Sequence, residues 1–409
     1  MNQHQPYAAF RIADFRYLLV SLFIISAAHK MQQVAVGWDI YERTGSAMAL
    51  GWLGMAMFVP VLLLFLPAGQ AADRFSRRSL MMVSFATASI ASLGLAWAAY
   101  SSASTFWMYF AVAANGIAQT ISRPARGAII PSVVPAPLVG NAVTWSTGFG
   151  QIAFIGGPTL AGLLIATGNS AVPVYLLAFV LNLVGFFSVA RISVRTRADN
   201  SGTALNLQHL LAGLVHVWKT KVIFASILLD LVAVLFGGAV ALLPIYAKDI
   251  LHVGPTGLGW LNAAPAVGAV MCSIIMGHLP APKRAGITLL WSVAGFGVAT
   301  IVFGYSQWYW LSLFALFLTG ALDNISVVIR LTLVQLHTPD ELRGRVSAVN
   351  SVFISSSNEL GAFRAGSMAA FTGPIFAVVA GGFAILAIVA MQAKLFPELR
   401  RLKSLTQTP

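Results

Sequence analysis

The chain has 409 residues, of which 58% are hydrophobic and only 9% are charged. Soluble domains are about 25% charged, so this chain has too few charged side chains to cover a water-exposed surface, and a soluble enzyme of this length is excluded. The formal net charge of +13 is informative mainly through its distribution along the chain.

Twelve apolar runs, separated by charged residues or by Gly and Pro clusters, are long enough to cross a bilayer as helices. They lie at residues 16–41, 47–71, 79–101, 105–124, 138–167, 171–191, 221–247, 257–279, 285–305, 308–335, 345–371 and 374–395. The runs are continuous and do not alternate in polarity, which argues against a transmembrane β-barrel. No basic segment with a short apolar core and cleavage site precedes the first run, so we expect that run to be a retained span. The sequence predicts an all-α polytopic membrane protein.

Basic residues lie almost entirely in one set of connections. Twenty of the 25 Lys and Arg fall on the side of the N-terminus, two on the other side, Arg43 and Lys248, and three inside predicted spans, Lys30, Arg330 and Arg364. Because cytoplasmic loops carry the excess of Lys and Arg, both termini are predicted to be cytoplasmic. The positive charge is therefore a topology signal, and no nucleic-acid partner is expected.

The longest polar connection, residues 191–221, divides the chain into two similar halves. Six apolar residues within it recur at helical spacing and predict an amphipathic helix in the membrane interface: Leu207, Leu210, Leu211, Leu214, Val215 and Trp218. The segments 126–138 and 330–342 keep Arg, Pro and Leu in register, as two six-helix repeats would. We predict an N-terminal six-helix bundle (1–195), a cytoplasmic linker (196–220) and a C-terminal six-helix bundle (221–409).

The connection between the second and third spans carries a spaced set of Gly, Asp and Arg residues: Gly69, Asp73, Arg74, Arg77 and Arg78. It resembles the G-x-x-x-D-R-x-G-R-R loop of the major facilitator superfamily, with Ser76 where the pattern usually has Gly. The resemblance implies twelve transmembrane helices in two pseudo-symmetric six-helix bundles. It also implies that this cytoplasmic loop steadies one state of a transport cycle.

The fifth span resembles the glycine-proline motif of exporter branches of that superfamily through Gly156, Gly157, Pro158 and Gly162. Small residues let helix backbones approach closely, and proline bends a helix. Other segments resemble a narrower, enterobactin-exporter-like group: 36–46, 123–126, 342–346 and 357–361. The resemblance implies export of a siderophore or an amphipathic drug-like molecule across a bacterial inner membrane, by a monomer in the lipid bilayer.

Charged residues inside a bilayer are costly and normally face a partner or a cavity. The predicted coupling and cavity residues are Lys30, Asp230, Asp323, Arg330, Glu359 and Arg364, with His29 as a proton relay. A carboxylate that binds either a proton or a cationic substrate would exchange one for the other. We expect Asp230 to fill this role first, then Glu359 and Asp323, with a purely structural ion pair as an equal alternative for each.

Neutral polar residues inside the spans are the candidates for substrate contact: Gln33, Asn115, Gln119, Gln151, Asn262, Trp145 and Trp260. Many proton-driven exporters of the superfamily carry an Arg in the fourth helix ahead of a Gly, but no Arg precedes Gly116 here. A proton is the expected coupling ion; its coupling must then involve other residues, or another ion drives transport.

No nucleotide-binding loop, metal-ligand spacing or nucleophile motif is present, so we predict neither an enzyme nor a cofactor. Two other functions stay open. One is an importer of a siderophore or another nutrient with the same fold, and the other is a non-transporting membrane receptor or scaffold.

Overall fold

The computed structural model describes residues 6–193, 207–280 and 282–402. Throughout these ranges the regular secondary structure is helical. The helices of the N-terminal half are α1 (Ala13–Thr44), α2 (Ala47–Arg74), α3 (Arg77–Tyr100), α4 (Thr105–Val133), α5 (Val139–Gly168) and α6 (Val172–Ala190). They are followed by α7 (Leu207–Lys219), α8 (Lys221–Phe236), α9 (Leu243–Ile245), α10 (Gly254–His278), α11 (Ala285–Tyr305), α12 (Tyr309–Leu336), α13 (Asp340–Thr372), α14 (Pro374–Leu395) and α15 (Pro397–Arg401).

Ten helical segments among the described residues are long and apolar enough to cross a membrane. Helices α4 and α13, which occupy the fourth and eleventh predicted spans, are as long but more polar: α4 contains Arg123 and Arg126, and α13 contains Glu359 and Arg364. The predicted all-α polytopic membrane fold is confirmed. Helix α7 lies where the amphipathic helix is predicted, whereas residues 194–206 of the predicted linker lie outside the described residues.

The fourth and seventh predicted spans differ most from the helices observed. The fourth was expected to end at residue 124, but α4 continues through Pro124 and Pro131 to Val133, so Arg126 belongs to a helix and not to a connection. Neighbouring helices make such prolines tolerable in a membrane. The seventh was expected to be continuous, but α8 ends at Phe236 beside Gly237, and the chain proceeds to Ile250 through 3-10, α-helical and π-helical turns.

The chain forms two compact units. The first unit comprises Met1–Asp39 and Val59–Leu205. Its core includes Phe15 and Ile25 of α1, Met81 and Phe85 of α3 and Ile129 of α4, which are buried together. Helix α3 packs against both α4 and α6, so the polar residues of these helices are held in fixed positions.

The second unit comprises Ile40–Phe58 and Asn206–Pro409. Residues 40–58 form a helical hairpin that turns at Gly45, whose φ of +57° is a conformation that glycine adopts without strain. The hairpin packs on α13 through backbone contacts: a Cβ on Gly54 would lie 2.5 Å from the carbonyl oxygen of Glu359, and one on Gly366 would lie 2.5 Å from the Cα of Gly51. Only glycine fits at these positions. The predicted three-part division at residues 195 and 220 stays a prediction.

Candidate functional site

A buried ion pair joins two helices of the second unit. Arg330 on α12 donates from Nη2 to Oδ1 of Asp230 on α8 at 3.0 Å, and the two side chains are only 2% and 6% exposed. Nη1 of Arg330 donates to Oδ1 of Asn350 on α13 at 2.9 Å, while Nε has no acceptor among the described residues. Asp230 and Arg330 therefore hold α8, α12 and α13 together in addition to any role in transport.

Asp323 lies on α12 close enough to Asp230 and Arg330 to interact electrostatically with both. Its side chain is partly buried, and no hydrogen bond to its carboxylate is found within the described ranges. Asp323 and Arg330 are seven residues apart on α12, a spacing that places them on nearly the same face of the helix. Of the two acids near Arg330, Asp230 makes the direct contact. Asp323 interacts with the arginine only at longer range.

Arg364, on α13, contacts the point where α8 is interrupted. Its Nε donates to the carbonyl oxygen of Leu235 at 3.0 Å, and its Nη2 donates to that of Phe236 at 2.8 Å. The guanidinium also lies 5.1 Å from the centre of the Phe236 ring. The last carbonyls of a helix lack intrahelical partners and carry partial negative charge, so Arg364 caps α8. Glu359, five residues earlier on α13, lies near the hairpin of residues 40–58.

Four basic residues of α1 and α4 form a second site, which we call the basic cluster: His29, Lys30, Arg123 and Arg126. The positive charges of the other three all act on His29. Within the cluster, Lys30 donates from Nζ to Oε1 of Gln33 at 2.9 Å, and Arg126 donates from Nη2 to Oε1 of Gln119 at 2.9 Å. The structure thus brings the predicted substrate-contact residue Gln33 to the predicted coupling residue Lys30, and Gln119 to Arg126.

A buried network of neutral side chains links four helices of the first unit. Nε2 of Gln32 donates to Oγ of Ser92 at 2.6 Å, and the Asn115 amide donates to Oε1 of Gln32. Asn182 donates to the same Ser92 oxygen at 3.3 Å. Asn115 is buried and its amide donates to Gln32, and its side chain also interacts with His29, so it links this network to the basic cluster. Sequence reasoning selected Gln33 and missed Gln32, since nothing in the sequence separates two adjacent glutamines.

The remaining candidates for substrate contact do not join either site. The indole of Trp145 donates to the carbonyl oxygen of Pro6 at 2.8 Å, and the amide of Asn262 donates to Leu258 in its own helix at 3.0 Å. Gln151 is partly buried on α5, and Trp260 is 48% exposed. Trp145 thus anchors the segment before α1, and the exposure of Trp260 is typical of an aromatic side chain at a lipid or interfacial surface.

The comparisons with known proteins agree with this architecture. The family model described as Major Facilitator Superfamily matches residues 18–361 and, in a second match, residues 231–407. The chain belongs to this superfamily. The enterobactin exporter EntS of Escherichia coli O1:K1 / APEC is 26% identical over 404 residues, covering 97% of this chain and 94% of that relative.

Solved structures of other transporters share the fold of this major facilitator protein. A bacterial homolog to the human lysosomal transporter Spinster, in an inward-facing and occupied conformation, is 14% identical with a TM-score of 0.71, and 98% of each chain is covered. A D-xylose-proton symporter is 14% identical with a TM-score of 0.72, covering 94% of this chain and 98% of that chain. At these identities the likeness shows the fold alone.

The loop typical of the superfamily is fixed by its arginines. Arg77 donates from Nη1 to the carbonyl oxygen of Ala128 at 2.7 Å and to Oγ of Ser132 at 2.6 Å, both near the C-terminus of α4. Arg78 donates to the carbonyl oxygen of Ala190, the last residue of α6. Gly69 is buried and Arg74 is exposed, and the side chain of Asp73 lies outside the described residues. The loop is thus tied to the ends of two neighbouring helices.

Ser76, which departs from the pattern of the superfamily, has a role of its own. Its side chain accepts from the backbone N–H of Ser79 at 3.1 Å and caps the N-terminus of α3. Serine is among the preferred residues at this position because its oxygen satisfies a backbone donor that the helix leaves free. The replacement of Gly by Ser therefore adds a cap.

The glycine-proline motif of α5 brings this helix against α1. A Cβ on Gly157 would lie 3.0 Å from the carbonyl oxygen of Ala27 and 3.1 Å from Cβ of Lys30, whereas one on Gly156 would meet open space. Pro158 and Gly162 are buried within the same helix. Gly157 thus fixes the approach of α5 to the basic cluster.

Proposed function

We propose that this protein exports a small organic compound, a siderophore or an amphipathic drug-like molecule, across a bacterial inner membrane by alternating access and in exchange for protons. Membership of the major facilitator superfamily and a near full-length likeness to an enterobactin exporter support a secondary transporter. The observation that carries the proton-coupled part of the proposal is the carboxylate of Asp323 beside the Asp230–Arg330 ion pair.

Asp323 is proposed as the group that binds and releases the proton. Asp230 is committed to Arg330 at 3.0 Å, and losing its charge would leave a buried arginine unpaired, which is strongly unfavourable. Asp323 has no such contact, and protonation removes its charge from surroundings of low dielectric. The structure therefore favours Asp323 over Asp230 as the exchanging carboxylate, with Glu359 as the next candidate.

The proposed orientation places both termini and the loop of residues 69–78 in the cytoplasm. It is supported by the excess of Lys and Arg in the connections on that side. In this orientation the loop and the ends of α4 and α6 that it contacts face the compartment from which the compound is collected.

The test is flux into proteoliposomes with an imposed pH gradient. A screen of siderophores and dyes for ligand-dependent thermal stabilisation of the purified protein first supplies a transported compound. Antiport predicts accumulation when the lumen is acidic; accumulation when the outside is acidic would refute export by proton exchange and favour an importer. Asp323→Asn should abolish gradient-driven accumulation and retain exchange of labelled for unlabelled compound.

Glu398→Gln is the matched control, because this carboxylate pairs with Lys221 at 3.1 Å on an exposed surface, with side chains 33% and 70% exposed. It removes one carboxylate without touching either candidate site and should leave accumulation unchanged. If Asp323→Asn accumulates the compound as well as Glu398→Gln does, Asp323 is not the coupling residue.

A further inference from the structure

We propose that the second unit binds the headgroup of an anionic phospholipid at the place where α7, α8 and α15 meet. The site consists of three exposed cations, Lys219, Lys394 and Arg400, beside the exposed ring of Trp218, and we call it the basic corner. The phosphodiester of the lipid lies among the cations, and its acyl chains lie against the apolar side of the corner. The inference goes beyond the transport function proposed above, because it concerns a lipid that stays in the membrane and not the transported compound.

Three segments that are distant in the sequence meet at the basic corner. The rings of Trp218, at the end of α7, and Phe224, in α8, are 4.8 Å apart between their centres. The Phe224 ring is 6.0 Å from that of Phe396, which lies between α14 and α15. Nζ of Lys221 donates to Oε1 of Glu398 at 3.1 Å, across 177 residues of sequence. The rings and the ion pair therefore hold the end of α7, the start of α8 and α15 at one place.

The three cations lie one or two residues from these contacts. Lys219 follows Trp218, Lys394 precedes Phe396 by two residues, and Arg400 follows Glu398 by two residues. Basic residues in each cytoplasmic connection are expected from the positive-inside rule. That rule does not account for cations from three connections that converge on one corner of the folded unit.

The positive charge of the basic corner is not compensated within the described ranges. No ion pair joins Lys219, Lys394 or Arg400 to an acidic side chain there, and the neighbouring Glu398 is paired with Lys221. A basic side chain near the surface of an anionic membrane contributes about 1 kcal/mol of attraction. Three such cations favour an anionic headgroup over a zwitterionic one, whose own positive group they repel.

The α15 side of the corner is built on packed residues. Leu399 and Leu402 are buried in one core with Val222 of α8 and Leu289 of α11. The backbone N–H of Gly286, in α11, donates to the carbonyl oxygen of Leu402 at 3.4 Å. Because α15 is already held in place, a ligand does not have to order it on binding, which lowers the cost of association.

Helix α7 is fixed through the face opposite the exposed one. Val217 is buried together with Val346 of α13. Four residues earlier, Gly213 approaches the backbone of α13 so closely that a Cβ on it would lie 2.9 Å from the carbonyl oxygen of Arg345. Residues four apart share one face of a helix, so this face of α7 is committed to the protein and Trp218 is left on the outer side.

An apolar surface lies beside the cations. Trp218 is 69% exposed, and Leu214, Val215 and Leu395 are also exposed. An exposed tryptophan next to basic residues is typical of the membrane interface, where the ring meets the lipid and its N–H meets the headgroups. A soluble anion would leave this apolar surface without a contact, whereas a phospholipid contacts both the cations and the apolar side chains. These observations favour a lipid as the occupant of the basic corner.

The test measures quenching of Trp218 by lipids with brominated acyl chains, in micelles that contain the purified full-length protein. Bromine quenches a tryptophan that it contacts, and the difference between the wild-type protein and Trp218→Phe isolates the signal of this ring from that of the other tryptophans. We expect brominated phosphatidylglycerol to quench Trp218 at a lower mole fraction than brominated phosphatidylcholine. Equal quenching by the two lipids would show that the corner does not select an anionic headgroup.

Three variants test the cations one at a time. Lys219→Gln, Lys394→Gln and Arg400→Gln should each raise the mole fraction of phosphatidylglycerol needed for half-maximal quenching about fivefold, because each removes one surface charge. Arg400→Lys keeps the charge and should retain most of the affinity. Quenching by phosphatidylcholine should be the same in all of these variants, which shows that the corner is folded.

Arg191→Gln is the matched control, because this arginine is exposed at the end of α6 in the first unit. It should leave quenching by phosphatidylglycerol unchanged. Equal losses in Arg191→Gln and Arg400→Gln would mean that the lipid responds to the overall positive charge of the protein, and the site at the corner would be wrong.

Glycerol phosphate distinguishes a lipid from a soluble anion, because it carries the phosphate group without acyl chains. It should not displace brominated phosphatidylglycerol when both are at the same concentration, and displacement would overturn the assignment to a lipid. Quenching is measured without a gradient, so absence of gradient-driven flux would refute the transport proposal and leave the basic corner standing. Flux that depends on Asp323, together with equal quenching by the two lipids, would refute the basic corner alone.

Discussion

The two ion pairs Asp230–Arg330 and Lys221–Glu398 have nearly the same length, 3.0 and 3.1 Å, and differ in burial. They allow the energy of a buried charge to be measured within one protein. Asp230→Asn keeps the shape of the side chain and removes its charge, which leaves the guanidinium of Arg330 buried beside a neutral amide. Lys221→Gln breaks the surface pair in the corresponding way.

The expected losses of stability for Asp230→Asn and Lys221→Gln differ several-fold. Removing one partner of a buried pair costs about 3–5 kcal/mol, whereas breaking an exposed pair costs about 0–1 kcal/mol. The side chains of Arg330 and Asp230 are 2% and 6% exposed, so the upper range applies to Asp230→Asn. Replacing both members, as Asp230→Leu with Arg330→Met, removes the unpaired charge. This double variant should therefore be more stable than Asp230→Asn, although Asn350 loses its donor, which costs about 1–3 kcal/mol.

The assay is denaturant-induced unfolding in detergent micelles, followed by tryptophan fluorescence, with gradient-driven flux measured on the same preparations. A double-mutant cycle isolates the interaction between Asp230 and Arg330. If Asp230→Asn and Lys221→Gln lose the same stability, the argument from burial is wrong. If Asp230→Asn loses flux and no stability, Asp230 acts in coupling and not as a structural partner.

Two further predictions concern the motifs of the superfamily. Gly157→Ala should lower the free energy of unfolding by about 1–3 kcal/mol through overpacking against α1. Gly156→Ala places its methyl in open space and should change the free energy of unfolding little. Equal losses for the two variants in the same unfolding assay would contradict the close approach of α5. Ser76→Ala should destabilise the protein by about 1 kcal/mol through loss of the α3 cap. Ser76→Gly should cost only about a few tenths of a kcal/mol. A larger loss with Gly than with Ala would show that the hydroxyl is not acting as a cap.

The positions of most spans could be predicted because hydropathy and length depend on local sequence alone. The ninth predicted span, 285–305, coincides with α11, and the twelfth, 374–395, coincides with α14, where Pro374 begins the helix. The extension of α4 through Pro131 and the break of α8 before Gly237 were missed. Both depend on whether neighbouring helices satisfy the backbone groups that Pro and Gly leave free.

The candidate site was predictable only as a set of residue types. Intramembrane charge identified Asp230, Arg330 and Arg364, but the sequence could not show that the first two contact each other while the third caps α8. These pairings are 100 or more residues apart in the chain and arise from the packing of helices. The role of Arg126 was missed for a related reason. Ending the fourth span at Pro124 placed Arg126 outside the membrane, among the basic residues that indicate topology.

The glycine contact between the hairpin of residues 40–58 and α13 has a kinetic consequence. Gly51, Gly54 and Gly366 meet the opposing backbone directly, while the side-chain contacts between the same two elements are made beside them, by Trp52 with Phe363 and by Met48 with Ser367. The contact at the glycines is held by dispersion alone, so the side chains beside it are the ones that must change rotamer when the two elements slide past each other. A methyl group at Gly54 or Gly366 would press against the opposing backbone and hinder this sliding.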